Sequence, residues 1–214
     1  MHAGLDVRRL DLKSGEGRAG LDRLLAGADV LVTSHRPAAL ARLGIAPAEV
    51  GDRHPALRQV AIVGELSAPD RAGHDLTYQA DAGLVDDRLP ATLLADLVGA
   101  ERVVSAVLLA LRDAPGAVRR VGLADTLADV AAPRRFGLTV PGGPFGGADP
   151  AYGVYRTRDG IVAVAALEPH FRARLYAALG LALNAPLADV MRTRTADEWR
   201  DFARLHDVPL SPVR

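Results

Sequence analysis

Apolar residues fall into short runs whose internal spacing changes along the chain, and that spacing predicts the elements. Weak alternation from Leu5 to Leu12 predicts a short strand. Ser14 then caps a helix running to about Ala26, with Glu16 near its positive dipole end, Leu21, Leu24 and Leu25 as its buried stripe, and Gly27 as its stop. The apolar run Ala28–Thr33 predicts a parallel strand covered on both faces. Pro37 suits the first position of a short helix that leaves at Gly44 and turns Leu40 and Leu43 inward. Leu57–Val63 is the next strand.

A loop with Ser67, Pro69 and Asp70 leads into Arg71–Ala80, where Gly73 allows a tight, positive-φ backbone before His74 and the apolar residues that follow return to the core. Asp96 is placed to cap a helix from Leu97 to about Arg112. Only Glu101, Arg102, Ser105 and Arg112 interrupt its apolar surface, which predicts a deeply packed element. Val118–Leu123 predicts a strand and Asp125–Ala132 a helix. Pro133–Pro150 is too rich in proline and glycine for a helix or a central strand. Beyond it, Asp159-Gly160 predicts a hairpin between Tyr152–Thr157 and Ile161–Leu167. A helix from Pro169 to Gly180 carries Phe171, Leu175, Ala178 and Leu179 on one face. Thr195-Ala196-Asp197-Glu198 is a capping box for a helix that buries Trp199, Phe202 and Ala203. Strands alternating with helices predict an α/β fold: a parallel sheet with flanking helices over residues 1–132, a Gly/Pro linker over 133–150, and a small α+β part over 151–214.

Composition narrows the function classes. The 214 residues are 49% hydrophobic and 24% charged, a soluble balance, and aromatics at 4% leave the core to Ala, Leu and Val. Formal net charge is +0, which argues against nucleic acid or an anionic membrane as main partner. Lys13 is the only lysine; the arginine, alanine and glycine bias points to a GC-rich bacterial genome. The absence of cysteine excludes disulfides, thiolate nucleophiles and cysteine-held zinc or iron–sulfur sites. No apolar run reaches the length of a membrane span, and Met1-His2-Ala3-Gly4 lacks the plan of a signal peptide, so a cytoplasmic location is expected.

Read locally, the candidate residues have plain structural roles. His74 fits a surface or satisfied core histidine, Asp96 a helix cap, and Glu168, just before Pro169, another cap. Arg36 and Arg42 flank a short helix as a solvated basic edge, although arginine forks also suit phosphates. Asp75, Asp86 and Asp87 read as solvated loop acids. His2, His35, His54, His170 and His206 show no metal spacing, so no metal site is expected. Gly142–Gly147 lacks the Lys-Ser/Thr ending of a phosphate loop.

Taken together, several stretches carry a resemblance. Gly73-His74-Asp75-Leu76-Thr77-Tyr78 is similar to the Gly-His-Asp-(Ile/Leu)-Asn-Tyr motif of α-methylacyl-CoA racemases, members of the family III CoA-transferase superfamily. Leu94–Gly99 is similar to the family's Ala-Asp-Leu-Ala-Gly-Gly segment. Tyr152–Thr157 through Ala165–Phe171 resembles its Tyr-x-x-Tyr-x-(Cys/Thr)-x-Asp-Gly … Glu-Pro-x-Phe block, and Leu10–Ile45 resembles its Leu-Asp-Leu-Lys-(Ser/Thr)-x-x-Gly-Arg … Ala-Asp-Val … Arg-Pro-Gly … Arg-Leu-Gly stretch. The resemblance implies an acyl-CoA or CoA ligand and a homodimer, with no cofactor beyond CoA as part of the substrate. It implies His74 and Asp96 as the acid–base pair, Glu168 as partner of His74, and Arg36 and Arg42 at the CoA nucleotide.

Two reactions are compatible with that implication. One is α-proton transfer of the racemase type; the other is CoA transfer through a mixed anhydride on Asp96. A third reading is a non-catalytic acyl-CoA-binding or interaction protein on the same scaffold. The chain also departs from the family pattern. It is shorter at both ends, with no counterpart of the opening strand before Leu5. Val63–Pro69 replaces the Gly-x-Gly-Gln-x-Gly-Pro loop, Ala38 stands for a Gly, and the interval from His74 to Asp96 is short.

Overall fold

The computed structural model describes residues 4–213 and divides into two units, Met1–Ala131 and Ala132–Arg214. His2, weighed above as a ligand, lies outside the described residues.

The first unit runs α1 (Gly15–Leu25), β1 (Val30–Thr33), α2 (Pro37–Arg42), α3 (Pro47–Arg53), β2 (Arg58–Val63), α4 (Asp75–Asp81), α5 (Leu94–Ala110), β3 (Val118–Gly122) and α6 (Leu123–Val130). Its sheet is parallel in the order β1-β2-β3, with Val32 opposite Val60 and Ala61 opposite Arg120. This is the expected α/β layer with flanking helices. Central β2 buries Val60 and Val63, whereas β1 is an edge strand in this sheet and leaves Val32 exposed, so it is not covered on both faces.

Local signals explain most helix ends. Ser14 Oγ accepts from the Gly17 N–H at 3.0 Å and starts α1. Leu25 is buried and Leu21 half-buried, but Leu24 is exposed: one residue is a 100° rotation, which carries it off the stripe. α3 was not anticipated. Pro47 opens it, Glu49 Oε2 accepts from the Ala46 N–H at 2.8 Å, and its one buried residue, Val50, joins Leu25 and Leu57 in a small core. Leu5–Leu12 forms no strand. Its alternation meets no partner strand, and a lone ribbon is not stable in water.

α5 corrects two expectations. It begins at Leu94, so Asp96 occupies the third helical position and is not the cap. It is also not deeply packed: Leu97 is 56% and Leu108 61% exposed, while Ala95, Gly99 and Ala110 are buried. Apolar residues surround the helix, but only one side meets α4, α6 and the sheet.

The second unit contains α7 (Ala132–Arg135), β4 (Tyr152–Arg156), β5 (Ile161–Ala165), α8 (Pro169–Leu179), α9 (Ala188–Met191), α10 (Ala196–His206) and β6 (Leu210–Pro212). Between α7 and β4 the Gly/Pro stretch bonds to itself, as in Phe145 N–H to Leu138 O and Gly143 N–H to Val140 O, both 2.8 Å. The sheet is antiparallel in the order β4-β5-β6, with the predicted hairpin and a third strand, β6, that was not predicted. Its core gathers Trp199, Tyr176, Leu175, Leu187, Met191 and Val162, all nearly or fully buried. Thr195 caps α10 as the sequence predicts, its Oγ1 accepting from the Glu198 N–H at 3.1 Å. No helix among the described residues is long and apolar enough to cross a membrane.

Candidate active site

At the C-terminal end of β2 the chain leaves the sheet through Gly64, whose carbonyl accepts from the Ala124 N–H at 2.9 Å and is thereby tied to the start of α6. A loop follows, then α4. Asp70 on that loop accepts from the Ala38 N–H at 2.9 Å, which ties the loop to the first turn of α2 and sets Arg36 beside it.

His74 stands at the N-cap position of α4 in extended conformation. Thr77 holds its backbone from both sides: the His74 N–H donates to Thr77 Oγ1 at 3.0 Å, and that hydroxyl donates to the His74 carbonyl at 2.8 Å. The next residue, Asp75, is 6% exposed. Its Oδ1 accepts from the Asp96 N–H at 3.1 Å, and its Oδ2 accepts from Gln79 Nε2 at 2.6 Å. Gln79 Nε2 also donates to the Thr92 carbonyl at 3.0 Å. Asp75 is therefore no solvated loop acid. It supplies an acceptor to the first turn of α5, whose own cap residue, Leu93, has none to offer. Asp86 and Asp87 are exposed, as expected.

The two helices deliver His74 and Asp96 to the lining of one cavity of about 230 Å³, which Arg36, Arg71, Tyr78 and Gly64 also line. The Asp96 carboxyl holds its proton to higher pH than an ordinary aspartate. The main cause is loss of surrounding water; the charge of Asp75 adds to it, and His74 opposes it. Burial likewise raises the Tyr78 phenol, with Asp96 adding and Arg36 and Arg71 opposing. Arg71 is engaged by Glu65 at 3.2 Å and Asp81 at 3.1 Å, whereas Arg36 makes no ion pair among the described residues. Gly73 does not take a positive φ; what it provides is space, since a Cβ there would lie 2.6 Å from Tyr78 Oη.

Arg42 is the last residue of α2 and does not line this cavity. Glu168 is at the N-cap position of α8 in the second unit. Two cavity residues, Arg71 and Tyr78, were not singled out from the sequence. Tyr78 could have been: it lies four residues after His74, hence on the same side of a helix. A carboxyl with raised proton affinity and an imidazole line one space, side chains of the kinds that give and take protons.

A family model described as CoA-transferase family III matches residues 2–214. The chain is 28% identical to the curated Alpha-methylacyl-CoA racemase of Homo sapiens, in an alignment covering 95% of this chain and 64% of that protein. It is 24% identical to the CaiB/baiF CoA-transferase family protein ZK892.4 of Caenorhabditis elegans, covering 100% of this chain and 73% of that one. The chain thus spans less than two thirds of the length of the human relative. Among solved structures, the hypothetical protein Rv3272 of Mycobacterium tuberculosis shares the fold with a TM-score of 0.79 at 21% identity, over 99% of this chain and 70% of that chain. A CAIB/BAIF family protein from Brucella suis does so at 0.72 and 21%, over 96% and 65%.

Proposed function

The chain belongs to CoA-transferase family III, and on that premise we propose that it binds an acyl-CoA thioester and moves the proton on the α-carbon between His74 and Asp96. The observation that carries the reading is that these two side chains line one cavity within the first unit. Curated relatives named as α-methylacyl-CoA racemases support it.

In this reaction the neutral imidazole of His74 takes the α-proton. The C–H electron pair moves into the bond to the carbonyl carbon, and the charge collects on the thioester oxygen as an enolate. Asp96, entering as the carboxylic acid, returns a proton to the opposite face. The opposite enantiomer exchanges the two roles. No redox step or further reactant is needed. A cavity of about 230 Å³ suits the acyl head group rather than a nucleotide, so the CoA phosphates lie outside it. Arg36, which makes no ion pair among the described residues, and Arg42 at the other end of α2 are their proposed contacts.

A second reading keeps Asp96 and drops His74. The Asp96 carboxylate attacks the thioester carbon, CoA leaves as thiolate, and an acyl–aspartyl anhydride remains to react with an incoming acid. The family name of the Caenorhabditis elegans relative favours it. Mass spectrometry separates the two. Proton transfer predicts deuterium uptake from solvent at the α-carbon of a 2-methylacyl-CoA, lowered about a hundredfold or more in His74→Ala and in Asp96→Ala. Label passing from acyl-CoA to a free acid, dependent on Asp96 and indifferent to His74, would establish the transferase reading instead.

A further inference from the structure

We propose that the Tyr78 hydroxyl is the hydrogen-bond donor that holds the thioester carbonyl oxygen in the His74–Asp96 cavity and stabilises the enolate oxygen it becomes. The proposal takes its ligand, an acyl-CoA, from the reading above; the hold on the carbonyl oxygen is independent of the proton-transfer step, and the stabilisation of the enolate rests on it.

Three observations carry it. First, Tyr78 is only 9% exposed, yet it lines the same cavity as His74 and Asp96. Second, its hydroxyl is flanked by two glycines of the cavity wall. A Cβ at Gly73 would come within 2.6 Å of Oη, and one at Gly64 would collide with it as well. The backbone on both sides is thus stripped of side chain where the hydroxyl passes. Third, that hydroxyl makes no hydrogen bond to the protein among the described residues. Other packed tyrosines do: Tyr155 donates to the Pro150 carbonyl at 2.6 Å, and Tyr176 to the Ala185 carbonyl at 3.1 Å. A phenol packed this closely ordinarily finds an acceptor. The Tyr78 hydroxyl is not sealed from solvent, and a ligand carbonyl in the cavity is the acceptor that would take the place of water.

The chemistry needs such a donor. Removing the α-proton moves charge onto the thioester oxygen, so a donor already aimed there gains strength as the reaction proceeds. Arg71 is taken up by Glu65 and Asp81 and is a poor choice for the task. Burial, the main cause, raises the phenol above its ordinary value, with Arg36 and Arg71 opposing, which favours the protonated form that donates.

The test uses Tyr78→Phe, which keeps the ring between the two glycines; matching circular dichroism and melting temperature confirm its fold. Calorimetry compares 2-methylpropanoyl-CoA with S-isobutyl-CoA, a thioether lacking only the carbonyl oxygen. The parent should prefer the thioester by about tenfold, and the variant should lose that preference while binding the thioether as the parent does. Solvent deuterium exchange should fall about a hundredfold in kcat, with KM rising by up to about tenfold as the thioester affinity falls. A preference that survives in Tyr78→Phe, or is absent from the parent, overturns the proposal. If the preference depends on Tyr78 but the parent exchanges no deuterium, the proton-transfer reading fails together with the enolate role, and the hold of Tyr78 on the carbonyl oxygen stands. A parent that binds neither probe overturns both.

Discussion

Replacing Asp75 by alanine removes a carboxylate that serves two elements at once. It accepts from the Asp96 N–H at 3.1 Å and from Gln79 Nε2 at 2.6 Å. Hydrogen bonds to a charged acceptor contribute about 1.5–3 kcal/mol each. Three effects pull the loss toward the low end. Gln79 keeps the Thr92 carbonyl, the Asp96 N–H sits near a cavity that water can enter, and the buried charge no longer has to be desolvated. A net destabilisation of about 2 kcal/mol follows, the size of a strong helix cap. Asparagine does not repair it. Its one oxygen can serve one donor, its amide faces the other, and turning Gln79 over would set oxygen against the Thr92 carbonyl. Urea unfolding followed by far-UV circular dichroism measures the loss. Amide hydrogen exchange over residues 74–97 should localise it to the first turn of α5. The Asp96 carboxyl should also titrate lower once the charge of Asp75 is gone. Parent-like stability, within about 0.5 kcal/mol, with equal protection of the Asp96 amide would refute the capping role.

The remaining predictions concern pH. Asp96 binds its proton more tightly folded than unfolded, so its contribution to stability is present below the ordinary value of 3.8 and is lost as pH rises through its higher folded value. Asp96→Asn suffers no such loss. Its stability relative to the parent should grow over that rise, and thermal melts showing a flat or falling difference would contradict the argument. In the second unit Asp149 has the opposite sign: its hydrogen bonds to Arg172 lower it, giving stability above 3.8 that is lost as pH falls through the folded value. The pair is 20% and 22% exposed at its side chains, so Arg172→Met should cost about 2 kcal/mol at neutral pH and progressively less in acid. Emission from Trp199, the single tryptophan, reports on that unit; an equal loss at all pH values would show that packing, not charge, is what Arg172 contributes.

Much of the candidate site was visible before the structure, though for different reasons at different residues. His74, Asp96 and Arg36 were marked by the motif resemblance, and all three line one cavity. Arg42 was marked by the same resemblance, but the length of α2 carries it to the far end of that helix. Tyr78 was legible as the residue one helical turn beyond His74. Asp75 was not legible, because a polar residue at a loop-to-helix junction is ordinarily solvated, and only the arrival of α5 over α4 buries it.

What the chain alone determined is what depends on neighbours a few residues away. The Ser14 and Thr195 caps, Pro37 at the head of α2 and the Asp159-Gly160 hairpin are local bargains between side chain and backbone, and each is where the residues predict. Decisions that need a second element were left to the tertiary structure. The apolar surface of α5 announces a helix but not which side is covered. The weak alternation of Leu5–Leu12 permits a strand but provides no partner, while Leu210–Pro212, with β5 alongside, becomes one. The glycine before His74 is there for the ring of a tyrosine five residues later, a contact that exists only once α4 has formed and packed against the end of β2. Caps and turns are decided by bonds a chain makes with itself at short range; burial, pairing and the placing of His74 and Asp96 on one cavity are decided by which surfaces exclude water together.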